Sequence, residues 1–138
     1  NRIQVRIRLS ENSNIKAYQS LLSILAKNHI SLDLINIFPA HQFFTVDKSE
    51  KENVSIILDL VGIKYSIIEE CSTIAIVGAG MTGVPGIMAR IINVLQNNNI
   101  EVLQTADSNM TIWCLIYTKD IEIAINLLHE EFGLSKVH

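Results

Sequence analysis

No apolar run in this sequence approaches the roughly 18 residues that a membrane span requires, and its start carries no signal-peptide pattern. A cytoplasmic location, away from membranes, is therefore expected. Cysteine is scarce. Cys71 and Cys114 have neither C-x-x-C spacing nor a nearby histidine pair, which argues against a zinc site or disulfide framework and for two reduced core thiols. His29, His41, His129 and His138 show no metal-ligand spacing, so no metal is expected. Basic residues are outnumbered, 11 Lys and Arg against 14 Asp and Glu, for a net charge of -3. Nucleic acid is thus not an expected partner, because phosphate binding needs a basic face. Neither a nucleophile–base pair nor a carboxylate dyad stands out, so catalysis by these residues is not expected. The chain also opens on Asn1 rather than an initiator methionine, and is read as a piece of a longer protein.

What the sequence does have is core material and internal order. Of its 138 residues 49% are hydrophobic and 18% charged, a balance unlike that of a disordered tail. Period-two alternation in "IQVRIRL" (Ile3 to Leu9) predicts a half-buried strand. Helical spacing of Tyr18, Leu21, Leu22 and Leu25 predicts one helix over Ile15 to Lys27. "ISLDLINIF" and "QFFTV" read as strands, Val54 to Val61 as a helix capped by Gly62, and "KYSIIEE" as a last strand. The order is βαββαβ. It then recurs: strand Thr73–Val77, helix Val84–Asn98, strands Ile100–Ala106 and Met110–Tyr117, helix Ile121–Phe132. A shift of 70 residues lays "ILAKNHISL" (Ile24 to Leu32) on "VLQNNNIEV" (Val94 to Val102), the mark of a duplication. Two α+β units, 1–70 and 71–138, are expected. Only "LSKVH" follows the last helix, so the second unit is expected to lack its final strand, to be supplied from upstream or by a partner.

The second unit opens on "TIAIVGAGMTGVPGIMARI" (Thr73 to Ile91), with Gly78, Gly80 and Gly83 at the spacing of a dinucleotide fingerprint. That reading fails on its surroundings. Glu101 has about the right separation for a ribose-binding carboxylate but opens its strand instead of ending it. Asp107, Ser108 and Asn109 then lead straight back as a hairpin, where a helical crossover is required. The strand–turn–helix keeps its own physics. Pro85 suits a first helical position, and the N–H groups of Gly86, Ile87 and Met88 would face outward at the positive end of a helix dipole, a seat for a carboxylate. Thr105, Asp107 and Ser108, at the end of the next strand, suit an ammonium group. Carboxylate seat beside ammonium seat describes a free amino acid. The alternatives are a plain tight turn for the glycines and a turn-forming role for Asp107. Asp33, among strand apolars, must be solvent-facing or paired. Trp113, Phe43 and Phe44 read as core or interface residues.

The run "VGAGMTGVPGIMARIINVLQNNNIEVLQTADSNMTIWCLI", with "LHEEFGL" (Leu128 to Leu134), resembles the C-terminal regulatory region of aspartokinases, in which two ACT units follow a kinase domain. The likeness is weaker in the first unit, where "ILAKNHISLDLINI" carries it. It implies ferredoxin-like βαββαβ units with antiparallel sheets and helices on one face, and a last strand of the second unit drawn from upstream of the first. It implies binding of an end-product amino acid (lysine, threonine or diaminopimelate), oligomerisation as a dimer, and feedback inhibition of a kinase that uses ATP and Mg, with no cofactor in this part. Its effector contacts map onto Met81, Val84, Pro85, Gly86 and Ile87, with Thr105, Ala106, Asp107 and Ser108. Many relatives have Ser-Thr-Ser-Glu where this chain has Thr105-Ala106-Asp107-Ser108, so the acidic group is displaced. In the first unit the equivalent positions are Asn14, Asp33 and Asn36, but "SENSNIKA" lacks the Pro-Gly, and that site is expected to be empty or an interface. A ligand-free dimerisation module is the alternative function. RNA binding, which shares the element order, is disfavoured by the acidic balance and the lack of paired exposed aromatics.

Overall fold

The computed structural model describes residues 1–77, 86–108 and 111–132. Residues Asn1–Glu69 form one compact unit and Glu70–His138 a second. The first contains β1 (Arg2–Arg8), α1 (Ile15–Gln19), α2 (Leu21–Lys27), β2 (Asp33–Ile37), β3 (His41–Asp47) and α3 (Lys51–Val61). β4 (Ser66–Val77) follows, and the second unit continues with α4 (Ile87–Asn97), β5 (Val102–Asp107), β6 (Thr111–Tyr117) and α5 (Ile121–Phe132).

In the first unit β3 pairs antiparallel with both β1 and β2, and β1 has β4 on its other side. Alternation places Ile3, Val5 and Ile7 of β1 with Phe44 and Val46 of β3 on one face, fully buried. Leu21 and Leu25 of α2 and Val54 and Leu58 of α3 close over that face. The helices therefore cover one face of an antiparallel sheet, the ferredoxin-like arrangement. In the second unit the order is β4-β6-β5, and Ile74, Ile76, Ile112, Cys114 and Ile116 meet Ile91, Leu95, Ala124 and Leu128 in the same way. The sixth element of the second repeat has no counterpart among the described residues.

The duplication extends to hydrogen bonds. β3 and β6, the 3-10 turns after them, and the starts of α3 and α5 lie 70 residues apart (41 and 111, 48 and 118, 51 and 121). The α2 and α4 ends are copies. Ile30 N–H donates to the Leu25 carbonyl at 3.1 Å and Ile100 N–H to Leu95 at 3.0 Å. The amides of Asn28 and Asn98 each reach back four residues at 2.8 Å. His29 (φ 59) and Asn99 (φ 61) take the left-handed conformation that closes such ends. Gly62 (φ 76) does the same for α3.

Two elements differ from the sequence reading. The expected helix Ile15–Lys27 is two helices, because Ser20 (φ -99, ψ 9) leaves helical geometry between them. The two expected strands "KYSIIEE" and Thr73–Val77 are one 12-residue strand, β4. No glycine or proline interrupts Ser66–Val77, so nothing in the backbone ends the first strand; Glu70, at φ 54, is the irregular residue within it.

Candidate functional site

In the second unit the expected effector positions lie where β4, α4 and β5 end or begin. Met81, Val84 and Pro85 fall outside the described residues. Gly86 is the N-cap of α4, in the left-handed region at φ 81, and among the described residues no side chain caps this helix start. Among the described residues a β-carbon at Gly86 would meet nothing within 4 Å, and the positive φ is what calls for glycine there. Ile87 and Met88, in the first turn, pack on the same core as Val102 of β5, which holds the helix start over the strand. Along β5, Thr105 pairs with Cys114, Ala106 with Trp113 and Asp107 with Ile112. Ser108 N–H donates to the Thr111 carbonyl at 2.9 Å, making the return expected from "ADSN". Asp107 and Ser108 are exposed; Thr105 and Ala106 are half-buried.

In the first unit the three candidate polar residues are engaged by different elements. Asn14 accepts from Ala17 N–H at 3.1 Å as the N-cap of α1, and its amide donates to the Val61 carbonyl at 3.2 Å. Asn12 beside it donates to the Lys64 carbonyl at 3.2 Å and accepts from Lys64 N–H at 2.6 Å. The "SENSN" loop is thereby stitched to the end of α3 and the turn after it. Asp33 forms an ion pair with Arg2, which also lies 3.8 Å from Asp47; the carboxylate among strand apolars is paired. Asn36 sits opposite Phe43 in the β2–β3 pairing.

What sequence reasoning missed is a cleft. It measures about 540 Å3 and is walled by Leu9 after β1, by Ile15, Tyr18 and Gln19 of α1, by Ile37, Phe38 and Pro39 of the β2–β3 hairpin, and by Gln42 of β3. These are the same three places, strand end, helix start and second-strand end, that frame the expected site 70 residues on. Tyr18 (4% exposed) and Gln42 (6%) are buried in its wall. Burial pushes the Tyr18 phenol above its ordinary range, with a hydrogen bond from the Gln42 side chain opposing, so the hydroxyl stays protonated near neutrality. Strand parity offered a signal, since Gln42 shares a face with Phe44 and Val46.

Residues 66–130 match the ACT domain. Aspartokinase 1 of Bacillus subtilis is 39% identical over 112 residues, which cover 81% of this chain and 28% of that protein. The chain belongs to the aspartokinase regulatory ACT family. This ACT region spans less than a third of the length of that relative. Its fold matches the regulatory subunit of aspartate kinase from Thermus thermophilus (ligand-free form) at a TM-score of 0.77 and 22% identity, over 96% of this chain and 93% of that one. It also matches E. coli aspartokinase III in complex with lysine and aspartate at a TM-score of 0.67 and 19% identity, over 96% of this chain and 31% of that one. The ACT fold is a regulatory one, and among the described residues no group of metal-ligating side chains and no membrane-length apolar helix occurs.

Proposed function

We propose that this ACT region binds an end-product amino acid, namely lysine, threonine or diaminopimelate, and through it restrains the aspartate kinase of which it is part, in the cytoplasm and as a homodimer. The observation that carries this reading is the uncapped start of α4 at Gly86, held over β5 by Ile87 and Met88. The first N–H groups of a helix lack intrahelical partners, and together with the helix dipole they favour a carboxylate there. Asp107, exposed at the end of β5, supplies the charge that an ammonium group needs. The lysine-bound state of E. coli aspartokinase III supports an amino-acid ligand for this fold. ATP and Mg belong to the kinase part, and the completing strand of the second unit comes from a segment upstream of the first.

A thermal-shift titration with the three amino acids tests the reading. A ligand at a hundred times its Kd stabilises by about 2.7 kcal/mol, so at least one of them is expected to raise the melting temperature in a saturable way. A melting temperature indifferent to all three contradicts it. Ile35, Ile37 and Phe38 on and beside the edge strand β2 are 44–57% exposed, which favours a second reading as a ligand-free dimerisation module. Under that reading the melting temperature rises with protein concentration and ignores amino acids.

A further inference from the structure

On the face of the first-unit sheet away from its helices, alternation places Arg6 and Arg8 of β1 beside Phe43 and His41 of β3. In the strand register Arg6 stands opposite Phe43, and Arg8 opposite His41. The group is ordered by its own contacts. Arg6 Nε donates to Gln4 Oε1 at 2.7 Å, and its guanidinium carbon lies 5.4 Å from the centre of the Phe43 ring. His41 stacks on Phe43 with ring centres 4.8 Å apart, and Phe38 lies at the same distance from His41. Leu9 N–H donates to the Ala40 carbonyl at 2.8 Å, which ties the end of β1 to the β2–β3 turn. There the protein leaves a hollow of about 360 Å3, lined by Arg8, Ser10, Ala40, His41 and Phe43.

The positive charge around this hollow is poorly answered. Among the described residues no carboxylate pairs with Arg6. Arg8 has only Glu11, at 4.0 Å and with both side chains more than half exposed, a pairing that contributes little. Asp33 and Asp47 are engaged with Arg2, at the far end of the strand. The second unit serves as an internal control. Its matching cross-strand pairs are Ala75 with Trp113 and Val77 with Thr111, none of them charged. The fold therefore forms without cations at these positions, and like charges crowded on neighbouring strands are unfavourable unless an anion joins them.

We propose that this hollow binds the phosphate monoester of a small metabolite. Such a group offers roughly two negative charges and three acceptor oxygens. Two guanidinium groups on one face and the Ser10 hydroxyl answer that set more fully than they answer a single carboxylate. Ala40 and Phe43 give the organic part an apolar wall. The volume suits a small molecule, and the net charge of -3 opposes a polynucleotide. None of the residues of the proposed amino-acid site takes part, so the two readings stand or fall separately.

Nitrogen-15 NMR and calorimetry on the whole chain test the inference, with glycerol 3-phosphate, AMP, inorganic phosphate and acetate as probes. At least one of the two esters is expected to shift the amides of Arg8, Ser10 and His41 saturably, and less so as salt is raised. That ester is expected to bind about tenfold or more tightly than inorganic phosphate or acetate. Arg8→Gln, at an exposed position, is expected to weaken it by about tenfold or more and to leave the melting temperature unchanged. Inorganic phosphate or acetate matching the esters overturns the inference, as does ester affinity unchanged in Arg8→Gln. A short single-stranded oligonucleotide that binds where neither ester does also overturns it. If neither ester binds while an amino acid still shifts Gly86 to Met88, this inference fails and the regulatory reading stands; ester binding without any response to amino acids gives the reverse.

Discussion

Leu25→Ala and Leu95→Ala are each expected to destabilise the protein by about 2–5 kcal/mol, the range for a large core side chain truncated to alanine. The two leucines are copies of one position. Each is fully buried, Leu25 in the first core among Ile3, Phe44 and Leu58, and Leu95 in the second among Ile74, Ile112 and Leu128. Each also has its carbonyl tied to the closing turn of its helix, by Ile30 N–H and Ile100 N–H respectively. Those turns limit how far the backbone can settle into the cavity, which puts the loss well above that of a surface change. Urea denaturation measures it. The single tryptophan, Trp113 on β6, reports the second unit by fluorescence, and circular dichroism follows the first. A loss below about 1 kcal/mol at either site would mean that the core there is not packed as described.

The second large effect concerns Cys114. It lies fully buried in β6, with Ile74 of β4 and Thr105 of β5 on either side. Burial pushes its thiol up from 9.0 to about 12, which lowers the thiolate population at pH 8 by about a thousandfold, since three pKa units separate the two values. In the native protein Cys114 is thus expected to resist an aromatic disulfide reagent at pH 8 and to react promptly once urea unfolds the chain. Rapid native labelling of Cys114, located by mass spectrometry, would contradict the burial. The same shift has a stability consequence. The folded state holds this proton more tightly than the unfolded one, so its contribution is complete below about pH 9 and is lost as pH rises from there towards 12.

Much of the fold was legible because its signals are local and repeated. "AKNHISL" and "QNNNIEV" each contain an asparagine that caps a helix, a residue that accepts positive φ, and an isoleucine that returns to the core, so this aligned block together with the shared order of elements identified a duplication. The Ser20 break and the fusion of two strands into β4 were not legible, because neither carries a breaker residue; both are settled by packing over a longer range than a window of sequence reports. For the candidate site the division is similar. That a helix starts beside Gly86 was legible from the apolar helical run that follows it. In the first unit, the eye falls on exposed polar residues, and Asn14 proves to be a strut to Val61 and Asp33 a partner of Arg2. The buried polar side chains in the cleft wall belong to Tyr18 and Gln42, which the pattern files under core.

The most direct trial of the regulatory account is a nitrogen-15 NMR titration of the intact chain with lysine, threonine and diaminopimelate, following the amides from Gly86 to Met88 and from Thr105 to Ser108. Saturable shifts in both groups, produced by the same ligand, are the expected result. Contacts with the head group of an amino acid are what would move them together. If all seven amides stay still while the ligand is in large excess, α4 and β5 are merely a helix start and a strand end, and the chain does not sense amino acids there.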